Sequence, residues 1–198
     1  MITYFDENYF DGETEAGMNG YHRSPVKDPS IPLTYADEFG ERHWFLYQKH
    51  REFFDDKTVL FVGCAKGFDV QDFRELGIEA YGIDVSAYAI SKASEDIRSY
   101  VAVDDLMNLT ADDLMNYDMI VGLRVLPCLS NDQLVSFSAN LALSGCESVF
   151  LVDTLETYTP SEVQLASENY NVKTLSEWKL LFPSSNIYSY RRAGNSFE

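Results

Sequence analysis

The residues best suited to chemistry lie in two short stretches. In VLFVGCAKG, residues 59–67, an apolar run gives way to Gly63, Cys64, Ala65, Lys66 and Gly67. Glycines and a small Ala at such a turn let the backbone pass close to a ligand. The N–H groups of a helix starting there favour an anionic or electron-rich group. Further on, Asp84 closes the run EAYGID. A carboxylate at the end of a second strand can accept both hydroxyls of a ribose. Glycine turn and second-strand acid together point to an adenosine-type cofactor. A dinucleotide site requires G-x-G-x-x-G, whose third glycine permits close helix packing beneath a pyrophosphate. Here the pattern is G-x-x-x-G with Ala65 in the middle, which suits a ligand without phosphates and disfavours a nicotinamide dehydrogenase.

The remaining reactive side chains suggest less. Cys64, Cys128 and Cys146 are an odd count without C-x-x-C spacing, which points to free thiols in a reducing compartment and against a metal knuckle. Cys128 has no Lys or His beside it in sequence to lower its pKa, so it reads as buried packing. His43 and His50 share one helix face without a third ligand, and no metal site is expected.

The elements that must position the loop and the acid follow from the apolar pattern. TVLFV (58–62), EAYGID (79–84), SYVAV (99–103), DMIVG (118–122), SVFLVD (148–153) and NIYSYR read as strands. Between them, 68–76 reads as a helix stopped by Gly77, and Ser86 caps a helix to about Arg98. Further helices start at Ser130 with Gln133, at Thr159 with Glu162 and Pro160, and at Thr174 with Glu177, each marked by a capping box. Alternating strands and helices imply an α/β fold with a parallel sheet covered on both faces.

Ahead of this core, residues 1–33 hold three glycines and three prolines among Tyr4, Phe5, Tyr9, Phe10, Tyr21 and His22. So many rings suit an ordered arm better than a linker. A helix over about 35–54 follows, with Phe39, Trp44 and Phe53 forming a core stripe. The expected division is an aromatic arm and helix over 1–55, on the lid and substrate side, and a cofactor-binding domain over 56–198.

VLFVGCAKGFDV followed by ELGIEAYGIDVSAYAI resembles the class I S-adenosylmethionine-dependent methyltransferases, in particular a group with GCAKG and GIDVS-x-YAI. The opening YFDENYF and the later Gly20–Tyr21 resemble that group's aromatic arm. The resemblance implies a Rossmann-like fold with a mostly parallel seven-stranded sheet and helices on both faces. It implies that Gly63, Cys64, Ala65, Lys66 and Gly67 wrap the cofactor's methionine moiety, Lys66 facing solvent, and that Asp84 holds the ribose while Val85 packs on adenine. Asp105, with Asp104 as the adjacent alternative, would accept from the adenine amino group, and the N–H of Leu106 would face the ring. Leu123 and Arg124, at the fourth strand's exit, would lie beneath the sulfonium.

Three departures bear on activity. The family's acid two residues before the first loop glycine is replaced by Phe61. Its E-V-L-E-H after the fourth strand is replaced by Arg124, Val125, Leu126, Pro127 and Cys128, and a histidine that serves as base in O-methylation is lost with it. Methyl transfer to an amine or carboxylate does not require a base, and alignment alone can drive it. If one is needed, Tyr21 and His22 on the arm are the candidates. The reading is methyl transfer to a small molecule, sugar or glycan. The alternative is a noncatalytic binding or structural protein, viral or otherwise, that keeps the fold.

Composition narrows the partners. The chain has 198 residues, 45% hydrophobic and 14% aromatic, with 15 basic against 32 acidic side chains and a net charge of −17. No basic stripe is available for a phosphate backbone, so independent nucleic-acid binding is not expected. Nor is a polybasic membrane patch or a spanning run present. MITYFDENYF lacks the basic and apolar regions of a secretory signal, and a cytoplasmic location is expected.

Overall fold

The computed structural model describes residues 5–11, 54–152 and 171–189. Six strands form one sheet: β1 (Thr58–Val62), β2 (Glu79–Asp84), β3 (Val101–Val103), β4 (Met119–Leu123), β5 (Glu147–Val152) and β6 (Asn186–Ser189). Their order is β3-β2-β1-β4-β5-β6 and every pairing is parallel. Seven strands were expected, and the described residues supply six. The order reverses between β1 and β4, so the carboxyl ends of these two strands open the crevice where α/β sheets bind ligands.

The helices are α1 (Glu7–Asp11), α2 (Phe68–Glu75), α3 (Ala87–Ser91), α4 (Ala111–Leu114), α5 (Asn131–Ser144) and α6 (Leu175–Leu181). Strands buried on both faces need apolar side chains at consecutive positions, and β1, β4 and β5 have them. Val59 and Phe61 of β1 join Val70 and Phe73 of α2 in one core. Leu60 and Val62 join Leu114, Leu134, Phe137 and Trp178 of α4, α5 and α6 in the other.

The capping boxes at Ser130 and Thr174 are formed as expected. That at Thr159, the helix over 35–54 apart from its last residue, and all but the start of the aromatic arm lie outside the described residues. Two expectations are corrected. The helix from Ser86 stops at Ser91 instead of reaching Arg98, and the chain resumes as a 3-10 helix over Glu95–Tyr100. The break lets Ala93 and Ile97 reach the core, Ile97 so near Gly67 that a Cβ there would meet its Cδ1 at 2.7 Å. Because Ser99 and Tyr100 belong to that 3-10 helix, β3 begins at Val101. Thr110 and Asp113 form a further capping box, which opens α4.

Candidate functional site

The loop after β1 is shaped by three left-handed residues. Gly63 and Gly67 have φ of 71° and 76°, and Ala65 adopts 51° without a glycine's freedom. At Gly63 a side chain is excluded twice over, since a Cβ would lie 2.9 Å from Val125 Cγ2. Ala65 bears a strain of about 1–2 kcal/mol. Its counterpart across the crevice is Arg124, after β4, with φ of 61°. Strained backbone at the ends of β1 and β4 thus flanks the point where strand order reverses, and such strain clusters at functional sites.

Hydrogen bonds fix the loop to the end of β2. The N–H groups of Gly63 and Cys64 both donate to the Ile83 carbonyl, at 2.8 and 3.0 Å. Asp84, 8% exposed, accepts the Ala65 N–H on Oδ2 and the Ser86 N–H on Oδ1, each at 2.8 Å. Burial raises its carboxyl pKa, and the Ser86 and Ala65 N–H groups pull it back. A carboxylate offers about two acceptor positions on each oxygen. Each oxygen therefore keeps capacity for one further donor, an arrangement that fits a vicinal diol.

Beside it, the N–H of Asp104 donates to the Asp84 carbonyl at 3.0 Å. Asp104 Oδ1 accepts from the Asp105 N–H and the Asn108 amide, while Asp105 Oδ1 accepts from the Met107 N–H. Both acids thus shape the turn Leu106–Asn108, whose Leu106 side chain is buried in the core. Val85 is 37% exposed just past β2, open to a flat apolar ligand.

Several expected site residues stand differently. Lys66 does not face solvent: it is buried, and its ammonium donates to Asp11 Oδ1 at 2.5 Å. Cys64 turns its thiol against Gly82 and away from the crevice, and burial beside Asp84 pushes its pKa well up. It can offer a ligand only backbone. Phe61 is buried against Phe73, ring centroids 4.9 Å apart. An acid there would be enclosed by the core rather than aimed at the loop.

At the exit of β4, Leu123 and Arg124 are half-buried. The Arg124 N–H donates to the Leu151 carbonyl at 2.7 Å, fastening the turn to β5. Pro127 is buried in a 3-10 turn over Leu126–Cys128, and Cys128 is half-buried rather than fully so. Tyr21, His22, His43 and His50 lie outside the described residues. Among the described residues no group of three or more His, Cys, Asp or Glu side chains could hold a metal ion, and no helix is long and apolar enough to cross a membrane.

The contribution of α1 went unforeseen. Ser86 Oγ donates to the Phe5 carbonyl at 2.5 Å, and the Tyr88 hydroxyl donates to Asp11 Oδ2 at 2.7 Å. Phe10 is buried, with Tyr9 edge-on to it. The clustering of rings in YFDENYF was the one trace of this packing in the sequence.

No protein-family model matches the sequence, and no curated protein matches it. Solved structures do. The chain is similar to a SAM-dependent methyltransferase from Archaeoglobus fulgidus, with 14% identity and a TM-score of 0.58 over 71% of this chain and 65% of that one. It is similar to TehB from Haemophilus influenzae, with 17% identity and a TM-score of 0.52 over 70% of this chain and 54% of that one. A third is phosphoethanolamine N-methyltransferase 2 from Haemonchus contortus, solved with S-adenosyl-L-methionine, with 15% identity and a TM-score of 0.54 over 67% of this chain and 34% of that one. The fold is that of the S-adenosylmethionine-dependent methyltransferases, and the chain spans from a third to two thirds of these proteins' lengths.

Proposed function

We propose that this protein binds S-adenosylmethionine and transfers its methyl group to a small molecule, sugar or glycan. The observation that carries this reading is Asp84, buried between Ala65 and Ser86 with one acceptor position left on each oxygen. A ribose presents two adjacent hydroxyls that match it. The backbone of Gly63, Cys64, Ala65, Lys66 and Gly67 would meet the amino acid end of the cofactor. Val85 would pack on the adenine, with Asp105 or Asp104 and the N–H of Leu106 at its polar edge. Leu123 and Arg124 would border the methyl group.

When bound, the sulfonium supplies an already activated methyl group. What the chain must add is alignment, which can contribute several kcal/mol, and exclusion of water. Where an acceptor hydroxyl has to lose a proton, Tyr21 or His22 of the arm is the candidate base. A net charge of −17 argues against a polyanionic acceptor, and the free cysteines support a reducing, cytoplasmic setting.

Calorimetry with S-adenosylmethionine tests the reading directly. Micromolar binding that Asp84→Asn weakens, in a variant with an intact unfolding transition, is expected. Absence of binding at millimolar cofactor, or binding indifferent to Asp84, would refute it. A second reading, a noncatalytic descendant of the fold, is favoured by Phe61 standing in the core where the family has its acid. Cofactor binding without turnover across a broad acceptor panel would support that one instead.

A further inference from the structure

Residues 5–11 are tied to both loops that flank Asp84. At one end Ser86 Oγ, two residues past Asp84, donates to the Phe5 carbonyl. At the other, Asp11 receives the ammonium of Lys66 from the loop after β1 and the hydroxyl of Tyr88 from α3. The segment therefore reaches from the end of β2 to the glycine loop. Between those loops Asp84 is only 8% exposed, which leaves a diol little access to its remaining acceptor positions in this closed arrangement. The glycine loop is a poor candidate for opening it, because three backbone N–H groups hold it to β2, Gly63 and Cys64 donating to the Ile83 carbonyl and Ala65 to Asp84, while Gly67 closes the loop on Cys64. α1 is five residues long, and its described polar ties to the loops are side-chain contacts that can break singly.

We propose that residues 5–11 are a strap across the cofactor site, latched by Asp11 on Lys66, which lifts to admit the cofactor's nucleoside end and closes again over it. This rests on the S-adenosylmethionine reading above. Lys66 is thereby a positioning residue: its backbone belongs to the binding loop, while its side chain sets how long the strap stays down. Tyr88 gives Asp11 a second donor and steers the carboxylate toward the loop. Because the same latch must open for entry and exit, loosening it speeds both association and dissociation, with a smaller effect on their ratio.

The test uses Asp11→Asn, which keeps the shape and removes the charge, and the exchange Asp11→Lys with Lys66→Asp, which restores a pair of opposite sign. Hydrogen exchange of the Tyr9 and Phe10 amides in the cofactor-free protein reads the strap itself. Asp11→Asn is expected to speed exchange there by about tenfold or more, as suits loss of a hydrogen bond between charged groups, and to leave the β1 and β2 amides unchanged. The double exchange is expected to recover most of the protection. Stopped-flow binding of S-adenosylhomocysteine should show both rate constants raised in Asp11→Asn. Exchange within about twofold of wild type, or faster exchange with unaltered binding rates, overturns the strap. Failure of the wild-type protein to bind the cofactor at all overturns the methyl-transfer reading and the gating role together, whatever the exchange shows.

Discussion

The Asp84 carboxylate accepts the Ala65 N–H at 2.8 Å, joining the end of β2 to the most strained residue of the loop after β1. One buried side chain thus holds the loop in its ligand-ready shape and presents the acceptors that a ribose would use. Asp84→Asn separates these roles poorly, which makes its expected signature specific. An amide can accept from one of the Ala65 and Ser86 N–H groups but turns its own NH2 toward the other. A buried donor left unsatisfied costs about 1–3 kcal/mol, so urea unfolding should show a loss in that range. Calorimetry should show cofactor affinity down by about tenfold to a hundredfold, as suits loss of a hydrogen bond to a charged group.

The pH dependence of Asp84 has a definite sign. Burial raises its folded pKa above the unfolded value, against the pull of Ser86 and Ala65. Between those two values the folded state holds the extra proton, so stability falls as pH rises through the window and levels off above it. The decline should be absent in Asp84→Asn. Unfolding free energies of both proteins from about pH 3.5 to pH 7, bracketing the ordinary aspartate value, measure it; parallel curves would count against the burial described.

Ala65→Gly is expected to be neutral or stabilising by up to about 1.5 kcal/mol. Relief of left-handed strain, about 1–2 kcal/mol, outweighs the extra freedom of an unfolded glycine, about 0.4–1 kcal/mol. A urea titration decides it, and a clear destabilisation would mean that Ala65 is relaxed at its positive φ.

Much of this was legible in the sequence because it is local. Buried parallel strands are unbroken apolar runs, so β1, β4 and β5 stand close to their expected limits, and Gly63, Gly67 and Asp84 mark the loop and the acid that face each other. The burial of Lys66 is not legible in sequence, which shows a charge and not its partner: Asp11 is 55 positions away and leaves no periodic trace. The apolar pattern of the helix from Ser86 continues past Ser91, whereas the need to seat Ile97 against Gly67 is tertiary. Thr110 with Asp113 departs from the usual capping-box pattern, because its third-position acid is Asp instead of Glu or Gln.

The latch should hold its charge further into acid than Asp84 does. Lys66 and Tyr88, both donating to Asp11, hold its carboxyl pKa below the ordinary value. A depressed pKa contributes stability that is fully present above the unfolded value, about 3.9, and is lost as pH falls through the folded one. The Tyr88 hydroxyl, its pKa raised chiefly by the bond to Asp11, keeps its proton far into the alkaline range. A carboxyl titration by NMR should therefore place Asp11 below an ordinary aspartate, and Lys66→Met should return it toward the ordinary value. An Asp11 midpoint that ignores Lys66→Met would show that the pair does not form in solution.

Phe61 is the sharpest place to ask whether β1 can present an acid to the loop. Its side chain lies on the α2 face of β1, edge-on to Phe73, which is itself edge-on to Phe54. Phe61→Glu would put a carboxyl among these rings with none of the described neighbours placed to pair with it, and it would also remove the ring's packing. Loss of a large buried aromatic alone costs about 3–5 kcal/mol, and burying an unpaired charge adds to that. The expected result is a protein with a greatly lowered or absent thermal transition and no gain in cofactor affinity. Phe61→Leu, which keeps the site apolar, should lose about 1–3 kcal/mol and bind the cofactor as wild type does. Tighter binding in a folded Phe61→Glu protein would instead show that this position can turn toward the loop.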